Sequence, residues 1–330
     1  MSTKMNFLVT GGGGFLGLEI VKELLARGHL VTSLARNEYT ALKSLEVPQV
    51  KCDLSDFNQV EKINFSEFNG VFHVAAKAGV WGKKDEYMRI NFLGTKNLMT
   101  AAKKAKLKYM VYTSTPSVVF EKDSILGGDE SLPYAQKYYT HYAYSKKCAE
   151  DFFINTLTDD FQGLSLRPHL IWGEDDPHIV PRLLERAQAG QLKIIGDGKN
   201  LVDIIYVKNA AIAHVDAMLA LMKNKKLNKQ CYFVGQEKPV YLWDFINSIL
   251  ELNNLSPVQN KVSYKAAFFI GFILEKIYQI FGLSGEPKMT RFTAMQLAKS
   301  HYFSHEKAKR DFNYQIHYTT EQALLKTFTN

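Results

Sequence analysis

Eight residues near the amino terminus, TGGGGFLG from Thr10 to Gly17, restrict what this chain can fold into more than any other stretch. Residues 5–10, which lead into them, read as a buried strand. Residues 15–27, which follow, carry apolar side chains at Phe15, Leu18, Val21, Leu24 and Leu25, the spacing of an amphipathic helix, with Gly28 where a C-cap glycine would stand. Between the two, Gly11, Gly14 and Gly17 form GxxGxxG. A pyrophosphate held at a strand-to-helix turn needs a tight bend, then a backbone without a Cβ beside its oxygens, then close packing of helix on strand. The three glycines supply these in turn. Strand before and helix after are the context of a dinucleotide site, and Phe15 and Leu16 fall in the same set of contacts.

Strand signals recur at residues 30–35, 49–52, 70–75, 108–114, 164–170 and 230–234, separated by helical stretches such as 85–106 and 142–156. This alternation predicts an α/β chain built on a Rossmann-type doubly wound parallel sheet. After Gly173 the rhythm changes to short strands at 193–195 and 202–207, a helix around 210–222 and a helix-rich tail from Tyr241. At 330 residues the chain exceeds what one core usually covers. We therefore expect a nucleotide-binding domain over 1–172 with a return at about 207–236, and a smaller, mostly carboxy-terminal substrate region over 173–206 and 237–330.

The end of the second strand reads SLARN and lacks the acid that would pair with the ribose hydroxyls of NAD and repel the 2′-phosphate of NADP. Arg36 can make charge-assisted hydrogen bonds to that phosphate, with Asn37 beside it, so NADP is the expected coenzyme and NAD the alternative. An arginine here can also stack on adenine without selecting phosphate. Asp53, in CDLSD after the third strand, is placed to accept from the adenine amino group, with Leu54 next to it. Its other reading is the N-cap of the following helix, a role equally open to Ser55 and Asp56. Ala75 and Ala76, after the fourth strand, are further expected cofactor contacts.

Tyr142 and Lys146, in YAYSKKCAE, are four residues apart, which puts phenol and ammonium on one helix face. Free tyrosine ionises near pH ~10, and a neighbouring cation favours the phenolate, toward a pKa useful for acid–base work. YTSTPSV, at the end of the fifth strand, offers the hydroxyls of Ser114, Thr115 and Ser117 to a substrate carbonyl, or as turn formers. Taken with CDL, VFHVAA, INFLGTKNLMTAA, LRPHLIWG and DIIYVKNAAIAH, these motifs make the chain resemble, over nearly its whole length, the extended short-chain dehydrogenases/reductases, in their 3β-hydroxysteroid dehydrogenase-like group. The resemblance implies a triad of Thr115, Tyr142 and Lys146, with threonine where that family usually has serine. It also implies that Pro168, Tyr142 and Lys146 touch the coenzyme and that Asn91 organises backbone or water; His169 reads as structural. The implied chemistry is hydride transfer from the nicotinamide to a ketone carbon. Tyr142 would protonate the alkoxide, Thr115 would steady the same oxygen, and Lys146 would bind the nicotinamide ribose.

Three shorter strings, AKAGVWG, RPHLIWG followed by VPRL, and GEPKMTRF, resemble more narrowly the reductases of 2-alkyl-3-oxo acids within that group. They imply NADPH-dependent reduction of a lipid-like 3-oxo acid to the 3-hydroxy acid. Alternatives sharing the motifs or the fold are a 3β-hydroxysteroid or sterol dehydrogenase, a nucleotide-sugar epimerase or dehydratase, and a dinucleotide-sensing scaffold, a class that commonly loses its tyrosine or lysine. Residues 266–283 form an apolar helix in which Phe268, Phe269, Phe272, Ile273, Ile277, Ile280 and Phe281 cover a broad face, with Glu275, Lys276 and Gln279 mostly opposite. Ordinary core packing suits it, and so does a lid or channel for an alkyl chain that rests on a membrane surface or a hydrophobic partner. The charged residues within it leave it short of the roughly 20 apolar residues of a membrane span.

The net charge of +8 is concentrated here: residues 261–312 hold nine Lys/Arg against four Asp/Glu, which suits an acidic head group or anionic lipid. The lysines at 223–229 read as a solvated helix end, and no nucleic-acid partner is expected. Cys52, Cys148 and Cys231 are too scattered for a disulfide framework or a zinc site, and no metal is expected. The opening MSTKMNFLVTGG lacks a signal peptide's apolar core, so the expected location is cytoplasmic, with membrane association through 266–283 left open. Expected partners are a hydrophobic small-molecule substrate and a second copy of the chain in a homodimer.

Overall fold

The computed structural model describes residues 4–329. Seven strands form one parallel sheet: β1 (Asn6–Thr10), β2 (Leu30–Ala35), β3 (Gln49–Lys51), β4 (Gly70–His73), β5 (Tyr109–Thr113), β6 (Gln162–Pro168) and β7 (Cys231–Val234). Their order is β7-β6-β5-β4-β1-β2-β3. This is the doubly wound arrangement, and the direction of winding reverses between β1 and β4, where a crevice opens outside the carboxyl ends of the strands. Every sheet strand expected from the sequence is present, with ends within two residues.

The helices used below are α1 (Phe15–Ala26), α2 (Gly94–Lys104), α3 (His141–Thr156), α4 (Ile179–Gln188), α5 (Val207–Lys223), α6 (Tyr264–Phe281) and α7 (Arg291–Ala298). Side chains alternate across a strand, so Phe7 and Val9 of β1 point to one layer and Leu8 to the other. On the first side they join Ile20, Val21 and Leu24 of α1 and Val215 and Met218 of α5. On the second, Leu8, Val71 and Met110 meet Leu98 and Met99 of α2 and Ala149 and Phe153 of α3. Both faces are buried, which is why the strands read as almost continuous apolar runs. Arg27 ties α1 to α5 through a 2.6 Å ion pair with Asp216.

One expectation needs correction and one open reading is narrowed. The helical stretch expected over 85–106 is three pieces, Lys84–Tyr87, a π-helical turn at Met88–Leu93, and α2. A pattern of 3.6-residue spacing does not reveal the inserted residue of a π turn, and such turns gather at functional sites. Second, of the readings left open for α6, ordinary core packing of its apolar face is the one the structure does not take. Ala267, Gly271 and Glu275, spaced i, i+4, i+8, face the protein, while the large apolar residues face outward. The reason is local. A Cβ on Gly271 would lie 2.6 Å from the Thr290 carbonyl carbon, so the helix touches backbone there. The Glu275 carboxylate, 4% exposed, accepts from the backbone N–H of Arg291 and pairs with its guanidinium at 2.7 Å. Glu275 is a buried anchor that leaves the aromatic stripe facing out.

A second sheet of four short strands, Val240–Tyr241, Leu201–Val202, His301–Phe303 and Ile125–Gly128, lies beyond the carboxyl edge of the first and brings the tail toward it. Helices α6 and α7 pack on each other beside it.

Candidate active site

Gly11, with φ +70°, turns the chain sharply after β1, and its N–H donates to the Leu34 carbonyl at 2.8 Å. A Cβ there would lie 3.0 Å from Ala75 Cα, so the loops after β1 and β4 meet in backbone contact. Gly17 has a different task. A Cβ on it would stand 2.1 Å from the Gly11 carbonyl oxygen, so only glycine lets α1 seat on the turn. Gly14 is the exposed N-cap of α1 and offers no side-chain cap. The first N–H groups of the helix, at Phe15 and Leu16, are thereby left for an anion. The cradle fits a dinucleotide pyrophosphate: its Cβ-free floor and uncapped helix start are what that group requires.

Arg36 lies at the end of β2, exposed, with no hydrogen bond or ion pair to any other described residue. The acid that follows, Glu38, is turned to Lys43 at 2.6 Å. Asp53 accepts from the N–H and hydroxyl of Ser55 at 2.9 and 2.8 Å and pairs with Arg89 at 3.3 Å, and these partners hold its carboxyl below the usual range despite partial burial. The N-cap of the next helix is Asp56, so Asp53 does not cap it. The Leu54 carbonyl is held by the Asn97 amide at 2.9 Å. Ala75 and Ala76 follow β4, and the Ala75 N–H donates to the Thr10 hydroxyl at 3.1 Å.

The Thr10 hydroxyl begins a buried chain that the sequence did not reveal. It accepts from the N–H groups of Val74 and Ala75 and lies 2.8 Å from His73 Nδ1, while His73 Nε2 lies 2.8 Å from the Thr95 hydroxyl. Thr95 itself donates to the Asn91 carbonyl. The only assignment that satisfies every partner is a neutral His73 that donates from Nε2 and accepts at Nδ1. Burial, and then the charge of Lys146, push His73 down to about 3, in agreement with that tautomer. Asn91, in the π turn, grips Lys77 by both its N–H and its carbonyl, at 2.7 and 3.0 Å, and donates to the Ser145 hydroxyl at 2.9 Å. It therefore ties the loop after β4 to α3.

Helix α3 starts at Thr140, whose hydroxyl accepts from the Ala143 N–H. Tyr142, Lys146 and Glu150 follow at i, i+4 and i+8 on the face turned to the sheet. The Lys146 ammonium donates to the Thr113 carbonyl at 2.6 Å and sits 4.2 Å over the Tyr112 ring. Burial lowers its pKa to about 7, with Glu150 acting in the opposite sense. Tyr142 is half-buried, and burial raises it to about 12, with a hydrogen bond to the Thr115 side chain pulling the other way. Lys146 is not among the groups that shift the phenol. In this arrangement the phenol keeps its proton, contrary to the expectation that the lysine draws it toward ionisation. Thr115 is 7% exposed and accepts from the Ser117 N–H at 3.2 Å.

Ser114 is excluded from the cleft, since its hydroxyl donates to the buried Glu150, which also binds Arg167 at 2.8 Å. The three expected triad residues thus lie together, at the end of β5 and the start of α3, with Ser117 beside Thr115. Pro168, at the end of β6, is buried and paired in register with Val234. His169 behind it donates to His301, which donates to the Gln296 carbonyl, at 2.7 and 3.0 Å. Burial holds both rings neutral, so His169 is structural as read from the sequence.

Above Tyr142 the walls are aromatic. Its ring meets Tyr87 at 6.4 Å, and the Tyr87 hydroxyl donates to the Trp81 carbonyl at 3.0 Å. Trp81 meets Tyr278 of α6 at 6.1 Å, and Tyr139 meets Phe268 of the same helix at 6.4 Å. Arg182 of α4 makes a bidentate pair with Glu286, whose charge is felt at Tyr87. Arg186, one turn on, donates to the Lys288 carbonyl, and burial with the nearby Arg182 depresses its pKa. VPRL and GEPKMTRF, singled out separately in the sequence, supply the two halves of this cluster, about a hundred residues apart.

Residues 8–262 match the 3-beta hydroxysteroid dehydrogenase/isomerase family. The chain belongs to that family. It is 42% identical over 324 residues to the 2-alkyl-3-oxoalkanoate reductase of Shewanella oneidensis, covering 96% of this chain and 84% of that one. It is 32% identical over 327 residues to the human decarboxylating sterol-4-alpha-carboxylate 3-dehydrogenase, covering 97% and 86%. The UDP-glucose 4-epimerase of Thermus thermophilus, solved in complex with NAD, superimposes with a TM-score of 0.75 at 23% identity over 98% of each chain, a likeness of fold. As a member of the 3-beta hydroxysteroid dehydrogenase family, the chain is an oxidoreductase acting on hydroxyl or keto groups.

The low pKa of Lys146 is directly observable. With no nucleotide added, nitrogen NMR of lysine-labelled protein is expected to contain one ammonium titrating near 7, absent in Lys146→Arg. If every lysine titrates near its usual ~10, Lys146 is not buried as described.

Proposed function

We propose that this chain uses NADPH to reduce a lipid-like 3-oxo acid of the 2-alkyl-3-oxoalkanoate kind to the 3-hydroxy acid. The observation that carries the reading is the protonated phenol of Tyr142 beside a run of aromatic rings, with the Arg182–Glu286 pair close enough for its carboxylate to act on Tyr87. A phenol that holds its proton is in the form that can donate to the alkoxide developing on a reduced ketone. The rings suit an alkyl chain. Arg186 suits a carboxylate, because an arriving anion would relieve a cation destabilised by burial and by Arg182. The two relatives named above each carry an acid in the name of what they act on, which agrees with that subsite.

The dinucleotide, when bound, supplies the hydride. The chain's own part follows from its geometry. Gly11, Gly14 and Gly17, with the N–H groups of Phe15 and Leu16, hold the pyrophosphate, while Asp53, Leu54, Ala75, Ala76 and Pro168 bound the rest of the coenzyme. Tyr142 donates its proton to the developing alkoxide, and the Thr115 hydroxyl steadies the same oxygen. Lys146, anchored on the Thr113 carbonyl, reaches the nicotinamide ribose. Residues 173–206 and 237–330 form the substrate region, with α4 and α6 supplying the arginines and part of the aromatic run.

Tyr142→Phe is expected to lower ketone reduction at saturating NADPH by roughly 100-fold or more, the usual range for loss of a proton donor. Full activity in that variant would remove the mechanism. Arg36 is the phosphate-selecting residue in this reading, since it is exposed at the end of β2 and makes no ion pair with any other described residue, although its charge reaches Glu86. Arg36→Ala should reduce kcat/KM for NADPH by roughly tenfold to 100-fold and leave NADH almost unchanged. Equal losses with both coenzymes would count against a phosphate contact.

A further inference from the structure

Among the described residues, the outward face of α6 gathers more exposed large apolar side chains than any other element. Phe269, Ile280 and Phe281 are 61%, 74% and 71% exposed, and Ile270, Ile273 and Ile277 stand out beside them. At 3.6 residues per turn, these residues and Ala266 fall in an arc about 120° wide. Lys265 and Lys276 run along one edge of it. Single exposed apolar residues are ordinary, but a contiguous stripe of this kind marks an interaction surface. The pose is fixed by the Gly271 contact with Thr290 and by the Glu275–Arg291 pair, so the stripe cannot roll inward without breaking both.

The same helix has its inner side over the candidate active site, through Phe268 on Tyr139 and Tyr278 on Trp81. Whatever covers the outer face is therefore separated from the cleft by one helix, about 10 Å.

We propose that α6 lies in the boundary between headgroups and acyl chains of an anionic bilayer, apolar arc inward, and that the lipid-like oxo acid passes beneath it from the lipid phase to Tyr142. The docking stands by itself; the delivery of substrate rests on the 3-oxo-acid reading. Charge decides between a bilayer and a second copy of the chain. A two-fold pair would set the same patch against itself. Lys265 and Lys276, within a segment of net +5, would then face their own copies, whereas anionic headgroups neutralise them. No helix among the described residues is long and apolar enough to cross a membrane, and 18 residues lying flat match a peripheral contact.

The test is sedimentation of the full chain with vesicles of phosphatidylcholine alone and of equal parts phosphatidylcholine and phosphatidylglycerol. Wild type is expected to bind the mixed vesicles, less with added salt, and to bind phosphatidylcholine more weakly. Phe269→Ser with Ile280→Ser should weaken binding roughly tenfold or more. Lys265→Glu with Lys276→Glu should weaken binding to the mixed vesicles by about tenfold, an independent route if the first pair folds poorly. Both pairs should reduce a short, water-soluble 3-oxo acid at the wild-type rate and a long-chain one held in vesicles at least about tenfold more slowly. Wild type left in the supernatant with both kinds of vesicle overturns the docking. So does a dimer in solution that Phe269→Ser with Ile280→Ser turns into monomer, if vesicles are not bound. Vesicle binding with no turnover of any 3-oxo acid overturns the delivery and the substrate reading but leaves the docking supported. Equal turnover of vesicle-held substrate by wild type and both variant pairs overturns the delivery alone.

Discussion

The backbone contact between Gly11 and Ala75 at the reversal of the sheet is the constraint on which the rest of the site depends. Strands β1 and β4 are neighbours whose following loops turn to opposite sides, and the crevice between them exists only if the two loops begin against each other. The Thr10 hydroxyl fastens that start by accepting two N–H groups of the β4 loop, and His73 carries the connection inward to Thr95. From Thr95 it reaches Asn91, then Lys77 and Ser145, and so arrives at the helix that carries Tyr142 and Lys146. The glycine turn after β1 and the helix that carries Tyr142 and Lys146 are linked by one run of hydrogen bonds.

The same run accounts for the proton states. A dry, fully partnered chain disfavours charge, which lowers His73 and Lys146 and raises Tyr142. The one deeply buried ion pair nearby, Glu150 with Arg167, also takes the Ser114 hydroxyl out of the cleft. Thr115 is left as the hydroxyl nearest the phenol. Removing either partner of that pair would strand a charge at roughly 3–5 kcal/mol, so the network holds the end of β6 and the middle of α3 together.

The parts legible in the sequence were those with a local signature. Seven strands could be placed because apolar runs and glycine turns mark them, and Tyr142 with Lys146 because their spacing is local, whereas the choice of Thr115 over Ser114 and Ser117 came only from the family resemblance. The π turn at Met88–Leu93 was hidden because one extra residue leaves the apolar pattern intact. The pose of α6 stayed open in the sequence for a physical reason: the small residues at 267 and 271 and the acid at 275 form the packed face, which hydrophobicity alone does not mark. The arginine cluster of α4 escaped notice because its meaning lies in Glu286 and Lys288, distant in sequence.

The central claim is that hydride from NADPH is delivered to the ketone carbon of a 3-oxo acid while the phenol of Tyr142 protonates its oxygen. Reduction of a 2-alkyl-3-oxo acid with NADPH deuterated at the transferable position, followed by mass spectrometry and NMR of the product, tests it most directly. The account predicts a 3-hydroxy acid with one deuterium on carbon 3 and none on carbon 2. Absence of deuterium at carbon 3, or turnover confined to sugar nucleotides, would contradict it.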